Sequence, residues 1–359
     1  MINVTKAYLP PLEEYIEYLK GIWERVHLTN HGPLVIELEQ RLKDYLGVKH
    51  LFFVNNGTIA LQIAIKALDL KGKVITTPFS YVATTSSLVW ENCEPIFVDI
   101  EPDYLCLNPD LIEHAITSDT SAILATHVYG NLCDVEVIEE IARRNNLKVI
   151  YDAAHAFGVK YKNTSVLNFG DISTLSFHAT KIFHTVEGGA IVTNSDELAD
   201  KISYMRNFGH NGQEAFWGVG INGKNSEFHA AMGLCVLPQF ANILRSRKDM
   251  YEYYINALQE VNLKLLTIRN NTDYNYAYFP VIFSSEEDLL QVRKTLNEAN
   301  IFPRRYFYPS LNNLPYLTYQ ATPIAEELSK KVLCLPFHTE ITMEEINQIT
   351  SLIKKTILC

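Results

Sequence analysis

The sequence has no closely paired cysteines and no surplus of positive charge. Its six cysteines form no Cys-x-x-Cys pair and no spacing typical of a metal site, so we expect reduced thiols in a cytoplasmic protein. The formal net charge of -10 argues against nucleic acid as the main partner, because nucleic acid binds basic faces. No uncharged apolar stretch is long enough to span a bilayer, and no signal peptide is visible, so we expect no membrane association.

Other signatures are missing as well. No Gly-x-Gly-x-x-Gly motif follows the first predicted strand, which disfavours a nicotinamide-dependent dehydrogenase. His127, His178 and His184 lack ligand spacing with cysteines or carboxylates, so no metal site is predicted. What remains is a chain of 359 residues, 47% hydrophobic and 20% charged, which is ordinary for an enzyme and long enough for two domains.

Short apolar runs alternate with helical patterns between residues 51 and 194. The runs are continuously apolar, which is typical of strands that are buried on both faces of a parallel sheet. Helical patterns such as Thr58–Leu68 and Asp134–Arg144 separate several of them, so we predict an α/β fold with a mostly parallel central sheet flanked by helices. The predicted strands are Leu51–Val54, Val74–Thr77, Ile96–Val98, Ala122–Thr126, Val149–Tyr151, Thr174–Phe177 and Ala190–Thr193.

The pattern changes after Pro238. Before the alternating region, Leu12–Leu46 is predicted to be mainly helical, with a break at Thr29–Pro33. We predict a large α/β domain at residues 1–238 and a smaller α+β domain at residues 239–359. The elements predicted after Pro238 are helices at Ala241–Val261, Glu286–Ala299 and Met343–Lys355 and a strand at Tyr278–Phe283.

Lys181 is the first candidate for chemistry. It follows a predicted strand, and the residues of Ser176–Lys181 that precede it are apolar or hydrogen-bonding. A loop after a strand can present a lysine amine to an aldehyde from a fixed position, as a Schiff base requires. Gly188 and Gly189 would let the backbone come close to a ligand. The alternative is a solvated surface lysine.

Two further features could serve the same ligand. Asp152 ends an apolar run, where ligands bind in open α/β sheets, although it could instead cap a helix. Gly57 and Thr58 begin a helix whose N-terminal amides suit a phosphate, and Ser176 could add a hydroxyl; plain helix capping is the alternative. An amine, a carboxylate and such a helix start match the aldehyde, ring nitrogen and phosphate of pyridoxal phosphate (PLP).

Two rings are candidates for contacts with the ring of that cofactor. Tyr81 closes Pro78–Tyr81 at the end of a predicted strand and could stack on the ring, although Tyr81 or Phe79 could equally belong to the core. His155 is close to Asp152 in the sequence and could touch the phenolic oxygen of the cofactor, although a lone histidine is more often structural.

Together these segments resemble the DegT/DnrJ/StrS family of sugar aminotransferases, a branch of the fold-type I PLP enzymes. The similarity covers about Leu28 to Pro336 and implies the fold-type I aminotransferase fold with a smaller C-terminal domain. The matching segments are Leu28–Pro33 for a Thr-x-x-Gly-Pro element, Asn55–Leu61 for the phosphate loop, Asp152–Ala156 for an Asp-Ala-Ala-Gln-Ala element, and Ser176–Lys181 with Glu187–Gly189 for the Schiff-base segment.

The resemblance implies a role for each matching residue. Lys181 would hold PLP as a Schiff base and would later carry the proton. Asp152 would pair with the ring nitrogen, and Tyr81 would stack on the ring. The phosphate would be held by Gly57, Thr58 and Ser176.

The resemblance also implies a second subunit. Asn222 matches a family asparagine that reaches the phosphate in the neighbouring subunit, which implies a homodimer with shared active sites. Two residues depart from the family pattern. His155 stands where many relatives have glutamine, and Lys224 stands where many have arginine, which can make a two-pronged contact with a carboxylate.

Within the family, Asp152–Gly158, Ser176–Gly189 and Gly220–Ala231 look most similar to enzymes that aminate C4 of dTDP-4-keto-6-deoxyglucose. The resemblance implies a ping-pong transamination in which L-glutamate donates its amino group, leaving pyridoxamine phosphate and 2-oxoglutarate, and the sugar then receives that group. The alternatives are amination of a dTDP-sugar at C3, amination of a UDP-4-ketosugar, and a non-catalytic ligand-binding protein with the same fold.

A site for the sugar nucleotide across the dimer interface is implied in the same way. Arginines suit a pyrophosphate because their planar donors match phosphate geometry, although Arg304 and Arg305 could instead form a solvated turn after Pro303. The candidate substrate contacts are Thr29, His127, Tyr129, Glu187, Lys224, Arg304, Tyr306 and Tyr308.

Overall fold

The structure is a computed structural model that describes residues 1–358. Its strands are β1 (Ile2–Asn3), β2 (His50–Val54), β3 (Lys73–Thr76), β4 (Glu94–Phe97), β5 (Thr120–Thr126), β6 (Lys148–Asp152), β7 (Lys160–Tyr161), β8 (Thr164–Ser165), β9 (Ile172–Ser176), β10 (Gly189–Thr193), β11 (Lys264–Leu265), β12 (Thr272–Asp273), β13 (Pro280–Ile282), β14 (Ile301–Phe302) and β15 (Val332–Cys334). Its α-helices are α1 (Leu12–Arg25), α2 (Pro33–Leu46), α3 (Gly57–Ala67), α4 (Val82–Trp90), α5 (Ile112–Ala115), α6 (Val135–Asn145), α7 (Asp196–Met205), α8 (Glu227–Val236), α9 (Phe240–Ala257), α10 (Glu286–Glu298), α11 (Pro323–Lys331) and α12 (Met343–Leu358).

A mostly parallel sheet is formed by strands from the first two thirds of the chain. Within the described residues it has the strand order β2-β10-β9-β6-β5-β3-β4. Neighbouring strands are parallel except at β10, which runs antiparallel to both β2 and β9. These strands coincide with the predicted apolar runs. The predicted α/β fold with a mostly parallel sheet flanked by helices is therefore confirmed.

The sheet is covered by apolar residues on both of its faces. Ile123 and Val149 belong to one hydrophobic core cluster, whereas their chain neighbours Leu124 and Ile150 belong to the cluster on the other face. Helix α3 packs against β9 and β10, while α2 packs against β2 and α8. Full burial of each such aliphatic side chain contributes about 1.5–3 kcal/mol to the free energy of folding. The well-packed sheet therefore holds the ends of its strands in fixed positions.

The C-terminal part has a hydrophobic core of its own. Strands β11, β13 and β15 form an antiparallel sheet, and α9, α10 and α12 contribute buried residues to the same cluster. The ring of Tyr254 stacks on Phe279 at 4.6 Å between centroids. The predicted boundary at residue 238 falls within the turn between α8 and α9. Strand β1 pairs in parallel with β14, so the first residues of the chain join this C-terminal part.

Some elements differ from the sequence prediction. Strand β3 ends at Thr76, so Tyr81 does not end a strand; it is instead the N-cap residue of α4. Strands β7, β8 and β12 form a further small sheet from strands of two residues, which are too short to show a periodic pattern. Among the described residues, no helix combines the length and the apolar character that crossing a membrane requires.

Candidate active site

A cavity of about 280 Å³ opens at the carboxyl ends of β5, β6 and β9. The N-terminus of α3, the residue before α4 and the segment after β14 also line it. Ligands of open α/β sheets bind at this edge. The cavity brings together the predicted residues Gly57, Thr58, Tyr81, Asp152, His155, Ser176, Lys181, Glu187, Arg304 and Tyr306.

Lys181 lies on the loop between β9 and β10. Its backbone N–H donates to the carbonyl oxygen of His178 at 2.8 Å, which closes a tight turn. Beneath this loop, the rings of Phe157 and Phe183 stack at 4.4 Å, and Phe177 meets Phe183 edge-on. Burial lowers the pKa of Lys181 to about 8, against the opposing effect of the Asp152 carboxylate. The loop therefore holds an amine that loses its proton readily.

Gly188 and Gly189 are needed for the packing of the protein itself. A Cβ atom at Gly188 would lie 2.1 Å from Oγ1 of Thr185, and one at Gly189 would lie 2.6 Å from backbone atoms of Asn56. Side chains at both positions would collide with the protein itself. Gly189 is required because it packs against the start of α3, and Gly188 is required because Thr185, Phe53 and Phe177 fill the space beside it.

Asp152 is the last residue of β6 and is buried. Its Oδ2 accepts a hydrogen bond from the Thr84 hydroxyl at 2.6 Å, and its Oδ1 accepts one from the Ala154 backbone N–H at 3.1 Å. Burial raises the pKa of Asp152, while these two donors and the charge of Lys181 counteract the shift. Each oxygen keeps a lone pair for a further donor such as a protonated ring nitrogen.

The start of α3 forms a wall of the cavity whose chemistry suits an anion. Asn56 caps the helix, because its Oδ1 accepts the Ile59 backbone N–H at 2.8 Å. The N–H groups of Gly57 and Thr58 precede any intrahelical acceptor and are available to a ligand. A Cβ atom at Gly57 would lie 3.0 Å from Cβ of Ser176, so the missing side chain leaves a cradle between the helix start and the serine.

His155 has a fixed tautomer. Its Nδ1 accepts the Tyr129 backbone N–H at 3.1 Å, so its Nε2 carries the proton. The ring lies parallel to those of Tyr129 and Phe307, and burial together with the charge of Lys181 lowers its pKa well below 6.5. His155 is thus a neutral hydrogen-bond donor, which is how a glutamine amide would act at the same position.

Charged residues line the mouth of the cavity. Arg304 is exposed and lies over the Tyr306 ring, with its guanidinium carbon 4.7 Å from the ring centroid. A carboxylate oxygen of Glu187 lies 3.6 Å from Nε2 of His178. Arg305 points elsewhere and donates to Glu286 at 2.7 Å. The two adjacent arginines therefore differ, since only Arg304 lines the cavity.

Several predicted site residues lie outside this cavity. Thr29 is exposed between α1 and α2, and Asn222 is exposed with its carbonyl oxygen accepting a hydrogen bond from Asn55 at 3.3 Å. Lys224 donates to Oδ1 of Asn207 at 2.8 Å. Tyr308 is exposed beneath the guanidinium of Arg305. Within one chain, none of these side chains lines the cavity.

His127 and Tyr129 lie in the core. The ring of His127 stacks on Tyr151 at 4.7 Å, its Nδ1 accepts the Cys133 N–H, and burial lowers its pKa to about 3. The hydroxyl of Tyr129 donates to the carbonyl oxygen of Tyr306. The structure does not support the predicted direct contact of these two rings with a substrate, because the protein encloses both of them. They support the cavity wall instead.

Sequence reasoning missed other residues of the site. Thr84 donates a hydrogen bond to Asp152. Ser80 and Thr126 line the cavity near Asp152. The ring of Tyr278 lies near Lys181, with 6.0 Å between the ring centroid and the Nζ atom of Lys181. Ser80 lies before α4 and Thr84 lies within it, so no helical spacing marks the pair in the sequence. No local pattern marks Tyr278, because it comes from the C-terminal part.

The cavity residues fit PLP group by group. The cradle between Gly57 and Ser176 and the free amides of α3 suit a phosphate. The carboxylate of Asp152 keeps acceptor capacity for a ring nitrogen, and the amine of Lys181 suits an aldehyde.

Comparison with known proteins gives the same assignment. The model of the DegT/DnrJ/EryC1/StrS aminotransferase family matches residues 12–354. The chain belongs to this family. Over 361 residues it is 45% identical to a dTDP-4-amino-4,6-dideoxy-D-glucose transaminase of Shigella dysenteriae, covering 99% of this chain and 98% of that relative. A transaminase of the same description from Escherichia coli is 40% identical, with 98% of each chain covered.

A solved structure extends the similarity to three dimensions. The crystal structure of DesI in the presence of its TDP-sugar product has a TM-score of 0.93 and 31% sequence identity, covering 99% of this chain and 92% of that one. The predicted resemblance is confirmed. Membership of the family identifies a transaminase and implies dependence on PLP.

Proposed function

We propose that this enzyme transfers the amino group of L-glutamate to C4 of dTDP-4-keto-6-deoxy-D-glucose. The products are dTDP-4-amino-4,6-dideoxy-D-glucose and 2-oxoglutarate. The observation that carries the proposal is the similarity to two transaminases named for this product across almost the whole chain. The cavity supports it, because its residues suit PLP and a nucleotide sugar together.

Each cavity residue has a defined task in this proposal. PLP, when bound, carries the amino group between the two half-reactions and withdraws electrons from the reacting carbon. Lys181 takes and returns the proton, which requires a neutral amine, and the lowered pKa supplies that form near neutral pH. With PLP bound, Asp152 would hold the ring nitrogen protonated, Tyr81 would cover the ring face, and His155 would donate from Nε2 to the phenolic oxygen. The phosphate is held by Gly57, Thr58 and Ser176.

The sugar nucleotide is proposed to enter past Arg304 and Tyr306. Of the two adjacent arginines, Arg304 lines the cavity. Its guanidinium can donate paired hydrogen bonds to the oxygens of a pyrophosphate. Arg305 and Tyr308 stack on one another away from the cavity, so they serve the structure of this turn. Glu187 lies at the same opening and suits a sugar hydroxyl as an acceptor.

A second copy of the chain is proposed to complete the site. Asn222 and Lys224 lie outside the cavity of their own chain, which is the expected arrangement if they reach the cavity of a partner. Large apolar side chains are exposed in the segment before Asn222, on α1 and in the turn after α1. Exposed apolar patches often mark sites of protein–protein contact. These exposed residues are Phe208, Phe216, Trp217, Val219, Ile221, Trp23, Val26 and Leu28. Thr29 is the next residue in the chain after Leu28.

We infer a cytoplasmic location from cysteine chemistry. Cys93, Cys106, Cys133, Cys235 and Cys334 are free and buried, as is usual where thiols stay reduced.

Product analysis tests the reaction. Purified enzyme, PLP and L-glutamate are incubated with dTDP-4-keto-6-deoxyglucose, and NMR locates the new amine on the sugar. Amination at C4 is expected. No amination of this sugar, together with activity on a dTDP-3-ketosugar or a UDP-4-ketosugar, would overturn the proposed substrate and leave the transaminase assignment standing.

Trapping tests the role of Lys181. Borohydride should attach PLP irreversibly to Lys181, which peptide mass spectrometry reads. Lys181→Ala should lower turnover about 1,000-fold while still binding PLP without a covalent bond. Lys160→Ala, which removes an exposed lysine on β7, is the control. Near-normal turnover in Lys181→Ala, or a protein that cannot take up PLP, would refute the mechanism.

A further inference from the structure

A row of hydrogen-bonded hydroxyls ends at Asp152. The hydroxyl of Thr126 donates to Oγ of Ser80 at 3.1 Å, Ser80 and Thr84 are 2.7 Å apart, and Thr84 donates to Oδ2 of Asp152 at 2.6 Å. All three hydroxyl residues are buried. They come from β5, from the turn before α4 and from α4 itself. Three separate elements therefore contribute to one row that leads to the Asp152 carboxylate.

The protons of this row have one consistent direction. A hydroxyl has one proton to donate, and an ionised carboxylate can only accept. Thr84 gives its proton to Asp152, so the hydrogen bond between Ser80 and Thr84 must use the Ser80 proton. Thr126 then donates to Ser80. Every hydroxyl dipole in the row therefore points its positive end towards the Asp152 carboxylate.

We propose that Thr84 is a positioning residue that keeps Asp152 ionised and turned towards the PLP ring nitrogen. This inference rests on the proposed function, because it concerns the same cofactor site. Thr84 does not line the cavity and so acts only through Asp152. Ser80 and Thr126 hold the Thr84 hydroxyl in its donating orientation.

The row matters because the charge of Lys181, which also supports the ionised Asp152, is variable. Burial favours the neutral carboxylic acid, and both Lys181 and the hydrogen bonds oppose it. Lys181 loses and regains protons during amino transfer, so its charge cannot stabilise the carboxylate at every stage. A hydroxyl donor carries no charge to lose. Hydrogen bonds to charged groups are worth about 1.5–3 kcal/mol, so Thr84 gives Oδ2 a constant support, as the Ala154 backbone N–H does for Oδ1.

Threonine variants on α4 provide a matched experiment. Thr84→Val replaces the hydroxyl by a methyl of similar size, and Thr84→Ser restores the donor. Thr84→Ala is the second variant without the hydroxyl, in case valine is not accommodated. Thr85→Val is the control, because Thr85 is buried next to it and its hydroxyl has no partner within residues 1–358.

Two measurements on the protein with PLP and without sugar report the effect. The dissociation constant for PLP should rise about tenfold in Thr84→Val, which is the lower end for a hydrogen bond to a charge, and return towards normal in Thr84→Ser. The ¹⁵N chemical shift of labelled PLP should show a larger fraction of unprotonated ring nitrogen in Thr84→Val. Thr85→Val should match the wild type in both measurements, and thermal unfolding confirms that each variant is folded.

The outcomes separate this inference from the proposed function. An unchanged dissociation constant and an unchanged ¹⁵N shift in folded Thr84→Val or Thr84→Ala would overturn the role of Thr84. An equal loss in Thr85→Val or in Thr84→Ser would also overturn it, since packing and not the hydroxyl would then be responsible. A wild-type protein that binds no PLP would instead refute the proposed function itself.

Discussion

Lys181 and Asp152 show opposite pKa shifts with one physical cause. Burial disfavours the charged form of either group, so it lowers the pKa of Lys181 to about 8 and raises that of Asp152. Each charge partly offsets the burial of the other. The result is an amine that is about one-tenth neutral at pH 7, beside a carboxylate that accepts two hydrogen bonds.

The lowered pKa of Lys181 can be measured in the cofactor-free protein. Reaction of a lysine with an acylating reagent requires the neutral amine, so labelling of Lys181 should rise with pH through a half-point near pH 8. Mass spectrometry quantifies the labelled peptide, with exposed Lys160 as an internal reference in the same sample. A half-point for Lys181 near the ordinary value of 10.5 would contradict the effect of burial.

His155 should tolerate glutamine but not an apolar side chain. Its Nε2 is expected to donate one hydrogen bond to PLP, which His155→Leu removes and the amide of His155→Gln restores. The loss should be about 1 kcal/mol, or about fivefold in the dissociation constant for PLP, read by an absorbance titration. Equal losses in both variants would show that the ring packs in the wall without donating.

Some residues of the site could be predicted from the sequence and others could not. Lys181 and Asp152 follow strand runs, so their place at the sheet edge was predictable from the chain pattern. The role of Thr84 depends on how α4 lies against β6, and Tyr278 arrives from a distant part of the chain. His127 was predicted to contact the substrate, but its ring is buried in the core. This burial depends on the tertiary structure, so the sequence does not reveal it.

At the scale of elements, prediction followed the length and composition of each segment. The strands of the central sheet were found because buried parallel strands are continuously apolar. Helix α4 was missed, because its sequence from Val82 to Trp90 is rich in threonine, serine and valine, which are weak helix formers. Strands β1 and β14 have two residues each and exist only because they pair with one another.

The start of α3 should lose its preference for phosphate when the cradle is filled. Gly57→Ala places a Cβ atom 3.0 Å from Cβ of Ser176, and overpacking of this kind costs about 1–3 kcal/mol. Binding of PLP should weaken, whereas binding of pyridoxal, which lacks the phosphate, should change little. Absorbance titrations with both compounds measure the ratio. An equal loss for both would place the phosphate elsewhere.

For the whole molecule, the position of Asn222 decides whether two chains share one site. If Asn222 serves the cavity of the partner, Lys181→Ala and Asn222→Ala chains can complement each other, because a mixed dimer contains one site with both native residues. Random mixing after dissociation should restore about a quarter of the wild-type activity, since half of the dimers are mixed and each has one intact site.

The unmixed variants are the controls for this experiment, and both should remain weakly active. Absence of any recovery after proven subunit exchange would show that Asn222 acts within its own chain or has no role at the cavity. Size-exclusion chromatography with light scattering verifies that the mixed sample is dimeric.

The tryptophans have an optical consequence. The three of this sequence, Trp23, Trp90 and Trp217, are all exposed, and two of them belong to the apolar surface proposed to meet a second chain. The intrinsic fluorescence of the isolated chain therefore reports its hydrated exterior and is nearly blind to the packing of the sheet. When two chains associate, water leaves Trp23 and Trp217. The emission maximum should therefore move towards shorter wavelengths as the protein concentration is raised.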